Sequence, residues 1–142
     1  VELTERSVVL SRTVSPNGAQ QLSMRSGDGW EMYVDGEVLV AEFTDWRVFE
    51  DPETVRTAFE ELVRQPAVTA HVVHMDFDRI PGDRMLKAAT LAAESGVDHG
   101  LERWAAVADG IERLTVKSRV DVAGLDVLAT DDVTEAMRWA RA

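Results

Sequence analysis

The stretch "HVVHMDFDRIPGD", residues 71–83, decides the fold. An apolar strand runs into a turn rich in Asp, Pro and Gly, and an alanine-rich helical stretch follows. The same thirteen positions hold two histidines and three aspartates, the residue types of a metal or acid/base site. Strand geometry separates them. Successive side chains point to opposite faces, so His71, Val73, Met75 and Phe77 lie on one side and Val72, His74, Asp76 and Asp78 on the other. His71 and His74 therefore do not share an ion from a regular strand. His74 and Asp76 are neighbours roughly 6.5 Å apart at Cα, whereas Asp78 lies about 13 Å from His74 unless the chain turns after Asp76. One imidazole and one carboxylate leave a coordination shell incomplete. His99, in "GVDHG", is expected in a loop at the opposite edge of the sheet.

Outward from this strand the hydrophobic period changes once. Before it, from Ser7 to Phe43, the pattern is strand-like: "SVVLSRTV", "AQQLSMRS", "WEMYV" and "EVLVAEF", separated by "PNG", "GDG" and Asp35-Gly36. Asp35-Gly36 is a two-residue hairpin signal, because the tight turns that join antiparallel strands need positive φ. After Phe43 helices alternate with strands. Val55, Ala58, Phe59, Leu62 and Val63 fall on one helical stripe, with Asp51 as the expected cap and Pro52 at the first position. A second helix is expected to start near Gly82-Asp83, bury Met85, Leu86, Ala89, Ala92 and Ala93, and stop at Gly96. "RWAAVAD" reads as a strand, Ile111 and Leu114 mark a weaker helix, and "LDVLA" is a short strand. The last helix is expected to be capped by Thr130 or Asp131 and to turn Val133, Ala136, Met137 and Ala140 inward.

This order implies an α/β domain with a mixed sheet, antiparallel at its start and mainly parallel in its C-terminal half, with about four helices. The 142 residues show no internal repeat, linker or low-complexity tract, and residues 1–142 read as a single domain. With 45% hydrophobic residues the chain has enough apolar surface for one core. Without cysteine there are no disulfides or thiolate ligands, which fits a reducing interior. No apolar run approaches the roughly 20 residues that span a bilayer, so a cytoplasmic location without membrane insertion is expected. The net charge of -11 disfavours nucleic acid and anionic membranes as partners. No nucleophile elbow, phosphate loop, dinucleotide fingerprint or zinc-protease helix is present, and no cofactor is expected.

"HVVHMDFD", "GDRMLKAATLAAESG", "RWAAVADG" and "LDVLATDDVTEAMRWARA", taken in order, resemble the SpoIIAA-like branch of the STAS-type domains. The resemblance covers residues 30–142 and leaves residues 1–29 as an N-terminal strand extension. It implies a sheet with packed helices, related in shape to anti-sigma-factor antagonists and to CRAL-TRIO lipid-binding domains. Such antagonists carry a phosphorylatable serine at the start of the helix after the central strand. Here that region reads Arg79-Ile80-Pro81-Gly82-Asp83-Arg84, so the switch does not carry over. Asp83 offers a permanent negative charge in place of the phosphate, although capping and the helix dipole also account for an aspartate at a helix start.

Three functions follow as expectations. The first is a non-catalytic binding or regulatory module that contacts a protein partner or a second copy of itself. The alternative is a carrier or sensor of an apolar small molecule or lipid, which requires an apolar cavity of some hundreds of cubic ångströms beneath a helix. The third is a metal-dependent or acid/base enzyme built on His74 and Asp76. The expected ligand or partner surface is Trp46, Phe49, His74, Asp76 and Asp83, with no catalytic residue and no metal ligand assigned. Trp46 and Phe49, in "FTDWRVFED", precede the first helix, where they would serve as a lid or contact surface.

Overall fold

The computed structural model describes residues 24–77 and 82–142. Among the described residues six strands form one sheet in chain order: β1 (Met24–Gly27), β2 (Trp30–Asp35), β3 (Val38–Phe43), β4 (Ala70–Met75), β5 (Arg103–Val107) and β6 (Asp126–Thr130). The pairs β1–β2 and β2–β3 are antiparallel, and β3 to β6 run parallel. The helices of the same residues are α1 (Glu53–Val63), α2 (Asp83–Asp98), α3 (Gly110–Arg119) and α4 (Val133–Arg141). A 3-10 turn, Trp46–Glu50, precedes α1. The mixed α/β architecture is the one expected. The strands expected before Met24 lie outside the described residues, as do Asp78 and the side chains of Ile111 and Leu114.

Local chemistry explains the meander. Asp35 pairs with Val38, so Gly36 and Glu37 form the two-residue loop of the β2–β3 hairpin, and Gly36 takes φ +65°. Such a loop matches the right-handed twist of its strands only with a residue at positive φ. The parallel strands β3, β4 and β5 are nearly continuous runs of buried residues, because helices cover both their faces.

The two faces are filled differently. On one, Leu39, Ala41 and Phe43 of β3 and Val73 and Met75 of β4 pack against Phe59 and Leu62 of α1 and Met85, Leu86 and Ala93 of α2. Val116 of α3 joins the same core. On the other, Val38, Val40, Ala70, Val72, Ala105 and Val107 pack against Ala136 and Ala140 of α4. Parallel crossovers are right-handed, so strands added in one direction return all three connecting helices to one face. The other face is left to α4, which follows the last strand. Each fully buried aliphatic side chain in these cores contributes about 1.5–3 kcal/mol.

Helix ends differ from expectation in three places. Pro52, not Asp51, is the N-cap of α1, and Asp51 instead closes the 3-10 turn. Gly96 does not end α2: it is buried inside the helix, where an added Cβ would lie 2.6 Å from Leu101 Cδ2. Close packing, rather than a left-handed cap, explains this glycine. The positive φ comes later, +102° at Gly100. Asp132, not Thr130 or Asp131, caps α4, accepting from the backbone N–H of Thr134 at 2.8 Å and Glu135 at 3.3 Å. Thr130 ends β6 and is held by a hydrogen bond to Glu135. On α4, Ala136 and Ala140 are buried and Met137 is half-buried, but Val133 is exposed.

Candidate functional site

Between α1, α2 and the sheet lies a cavity of about 280 Å³. Its floor is the helix-covered face of the central strands: Met32, Phe43, His71, Val73, Met75 and Trp104. Phe49 and Pro52 bound it from the turn that leads into α1, and Val55 and Phe59 from α1 itself. Met85, Ala89 and Ala92 line it from α2, and Val116 from α3. The cavity has a sequence cause. Ala89 and Ala92 occupy positions on the inner side of α2 where leucines would have met α1, and both remain half-buried. At Ala89 and Ala92 the inner side of α2 thus leaves the space beneath it unfilled.

The Phe49 side chain, from the 3-10 turn, forms one wall. The Phe49 ring lies 4.8 Å from that of Phe43 and 6.4 Å from that of Phe77. The turn is fixed by Asp45, whose carboxylate accepts from the Arg47 backbone N–H at 3.0 Å and from its guanidinium at 2.8 Å. Those hydrogen bonds hold the Asp45 carboxyl below the usual carboxylate range. The carbonyl of Glu50, at the end of the turn, accepts from Arg84 Nη1 at 3.1 Å and so ties the turn to the first turn of α2.

His71 is the polar residue of the floor, and it is only 3% exposed. Its Nδ1 lies 2.7 Å from the Leu39 carbonyl, and its ring packs 5.0 Å from that of Phe59. Burial pushes its pKa down to about 4, so the ring is neutral at pH 7. In the neutral form Nδ1 donates to Leu39, which leaves Nε2 as an acceptor. Nε2 has no hydrogen-bond partner among the described residues. Among the floor residues only the His71 imidazole and the Trp104 indole carry ring nitrogens, and the rest are apolar.

The charged groups of the lining are basic. Arg56, Arg84 and Lys87 contribute to the walls, and among the described residues no acidic side chain lines the cavity. All three are exposed, which places their charges at the mouth. Arg56 is paired with Glu53 and, at 3.5 Å, with Glu60. Arg84 and Lys87 have no carboxylate partner among the described residues.

The residues expected from sequence are divided by this geometry. Phe49 lines the cavity, and Trp46, in the same turn, is partly buried against the same core. His74 and Asp76 are elsewhere. His74 shares the α4 face with Val72 and lies in register between Glu42 of β3 and Val107 of β5. The Asp76 N–H continues the pairing of β4 by donating to the Phe43 carbonyl at 2.8 Å, and its side chain is exposed. Among the described residues no group of three His, Asp or Glu side chains could hold a metal ion. His99 caps the C-terminal end of α2, the end remote from His74. Asp83 opens α2, with Gly82 as its N-cap, and its carboxylate sits 3.5 Å from Arg119.

The expected surface did not include His71, Arg84 or Lys87. Parity placed His71 on the face opposite His74, and the right-handed crossover rule assigns that face to α1 and α2. Those two signals together would have found it. Comparisons of the chain with family models, with curated proteins and with solved structures return no match. No helix among the described residues is long and apolar enough to cross a membrane.

Proposed function

We propose that this domain is a non-catalytic binding module that encloses an apolar small molecule, as a carrier or sensor, between α1, α2 and the sheet. One observation carries the proposal: an apolar space of about 280 Å³ on the inner side of two helices, with a neutral acceptor on its floor. Pockets of a few hundred cubic ångströms with a few placed polar groups are what small ligands occupy. A group in such a liquid-like volume takes up roughly 30 Å³, so the space suits an apolar body of about ten non-hydrogen atoms.

The order of elements over residues 24–142 supports a SpoIIAA/STAS-like fold as part of the same proposal, with the ligand on the helix-covered face. Binding to a protein partner or a second copy has less support. Among the described residues the exposed large apolar side chains Met24, Leu91 and Val133 are spread over β1, α2 and α4. The edge strand β6 is only five residues long, and the Val127 carbonyl already accepts from Lys117 Nζ at 3.1 Å. Short edges guarded by lysine resist strand addition.

Native mass spectrometry of the purified protein tests the proposal. The expected spectrum contains an adduct on the order of 200 Da, the mass of a molecule with roughly a dozen non-hydrogen atoms. A bare monomer whose melting temperature is unmoved by any of a set of medium-chain alcohols, acids and aryl compounds would contradict it.

A further inference from the structure

We infer that the ligand is an anionic amphiphile, its apolar body in the cavity and its negatively charged head at Arg84 and Lys87. The inference rests on the cavity being a ligand site. Its own support is the distribution of charge. In a chain of net charge -11, the charged residues that line this cavity among the described residues are three cations and no carboxylate. Arg56 is already neutralised by Glu53 and Glu60. Arg84 and Lys87 have no such carboxylate among the described residues, and they stand one helical turn apart on α2, where residues i and i+3 are surface neighbours. The Arg84 guanidinium gives one N–H to the Glu50 carbonyl, which orients the group and leaves further donors for an anion.

Orientation follows from the same groups. A carboxylate or phosphate is expelled from an apolar interior unless it is paired. Inside, it would meet the lone pair of His71 Nε2, which repels an anion. At the mouth it meets two exposed cations and water. The head therefore stays outside and the chain goes in, tail toward the floor. A body of about ten non-hydrogen atoms beyond the head matches a medium-chain acid or monoalkyl phosphate.

Calorimetric titration of the intact protein at low salt with decanoate, decyl phosphate and 1-decanol tests this. The expected result is that at least one anion binds about tenfold more tightly than the alcohol, the strength of one charge-assisted hydrogen bond. The tighter of the two anions identifies the head. Lys87→Gln should weaken that anion severalfold and Lys87→Gln with Arg84→Gln about tenfold, each measured relative to 1-decanol on the same variant, so that any change in cavity shape from losing the Arg84–Glu50 tie cancels. Lys87 has no hydrogen-bond or ion-pair partner among the described residues, so its replacement leaves the fold intact. Equal affinity for the alcohol and both anions would overturn the charged head and leave the apolar cavity standing. Failure of all three compounds to bind would overturn both.

Discussion

The Nδ1 atom of His71 lies 2.7 Å from the carbonyl oxygen of Leu39, its register partner on the neighbouring parallel strand. This hydrogen bond keeps a histidine in a place otherwise suited to a leucine. It fixes the tautomer, and it turns the remaining nitrogen into an acceptor on the floor of an apolar cavity. A carbonyl has two lone pairs, so Leu39 accepts this bond in addition to serving the strand ladder.

The fold should be acid-sensitive because of His71. Its folded pKa, about 4, is below the ordinary value of 6.5, so the unfolded chain takes up the proton first. Above pH 6.5 there is no penalty; as pH falls from 6.5 to 4 the folded state loses roughly 3 kcal/mol from this group. Urea unfolding at pH 7 and at pH 4.5 should show the loss in the native protein and a smaller one in His71→Leu. The His71 ring resonances should titrate near pH 4. A midpoint near the ordinary 6.5 would show that the ring is not buried as described.

Filling the cavity should separate binding from stability. Ala89→Leu adds a branched side chain where the lining residue is small and half-buried. Burial of the added apolar atoms offsets the entropy of ordering them, so the melting temperature should stay level or rise. Affinity for a medium-chain ligand should fall more than about tenfold, as expected when ligand volume is taken by protein. Unchanged affinity in this variant would place the ligand elsewhere.

Asp132 and Asp131 should respond differently to removal. Asp132→Ala frees the N–H groups of Thr134 and Glu135 and should cost about 1 kcal/mol. Asp131 is exposed and pairs with Arg113 at 3.6 Å, a surface ion pair. Asp131→Ala should stay within about 0.5 kcal/mol of the native protein. Denaturant midpoints of the two variants measure the difference directly.

Gly96→Ala sets helix propensity against packing. Alanine is favoured over glycine by about 1 kcal/mol of propensity, but its Cβ would meet buried Leu101 at 2.6 Å. Overpacking at so close an approach costs about 1–3 kcal/mol, so a net loss near 1 kcal/mol is expected. A stabilised variant would show that Leu101 yields without cost.

Much of this architecture is legible in the residues. The alternation in "HVVHM" assigns each histidine to its face, and the stripe from Val55 to Val63 describes α1 closely, with Ala58, Phe59, Leu62 and Val63 buried. Caps are less legible, because Asp131 and Asp132 are chemically identical and only the backbone turn after Thr130 selects between them. The cavity is the least legible feature. It depends on volume missing between Ala89, Ala92 and the sheet, and no periodicity records a gap. Net charge hides the rest: 26 acidic residues in the chain mask the two cations, Arg84 and Lys87, that stand at one mouth.

The central claim, that the cavity takes a ligand, is tested most directly by labelling the methionine methyls and titrating with decanoate by NMR. The chain has five methionines, of which Met32, Met75 and Met85 line the cavity while Met24 lies on β1 and Met137 on α4. The predicted result is saturable shifts at Met32, Met75 and Met85 with Met24 and Met137 unmoved. Shifts confined to Met24 or Met137, or none at any methionine, would contradict it.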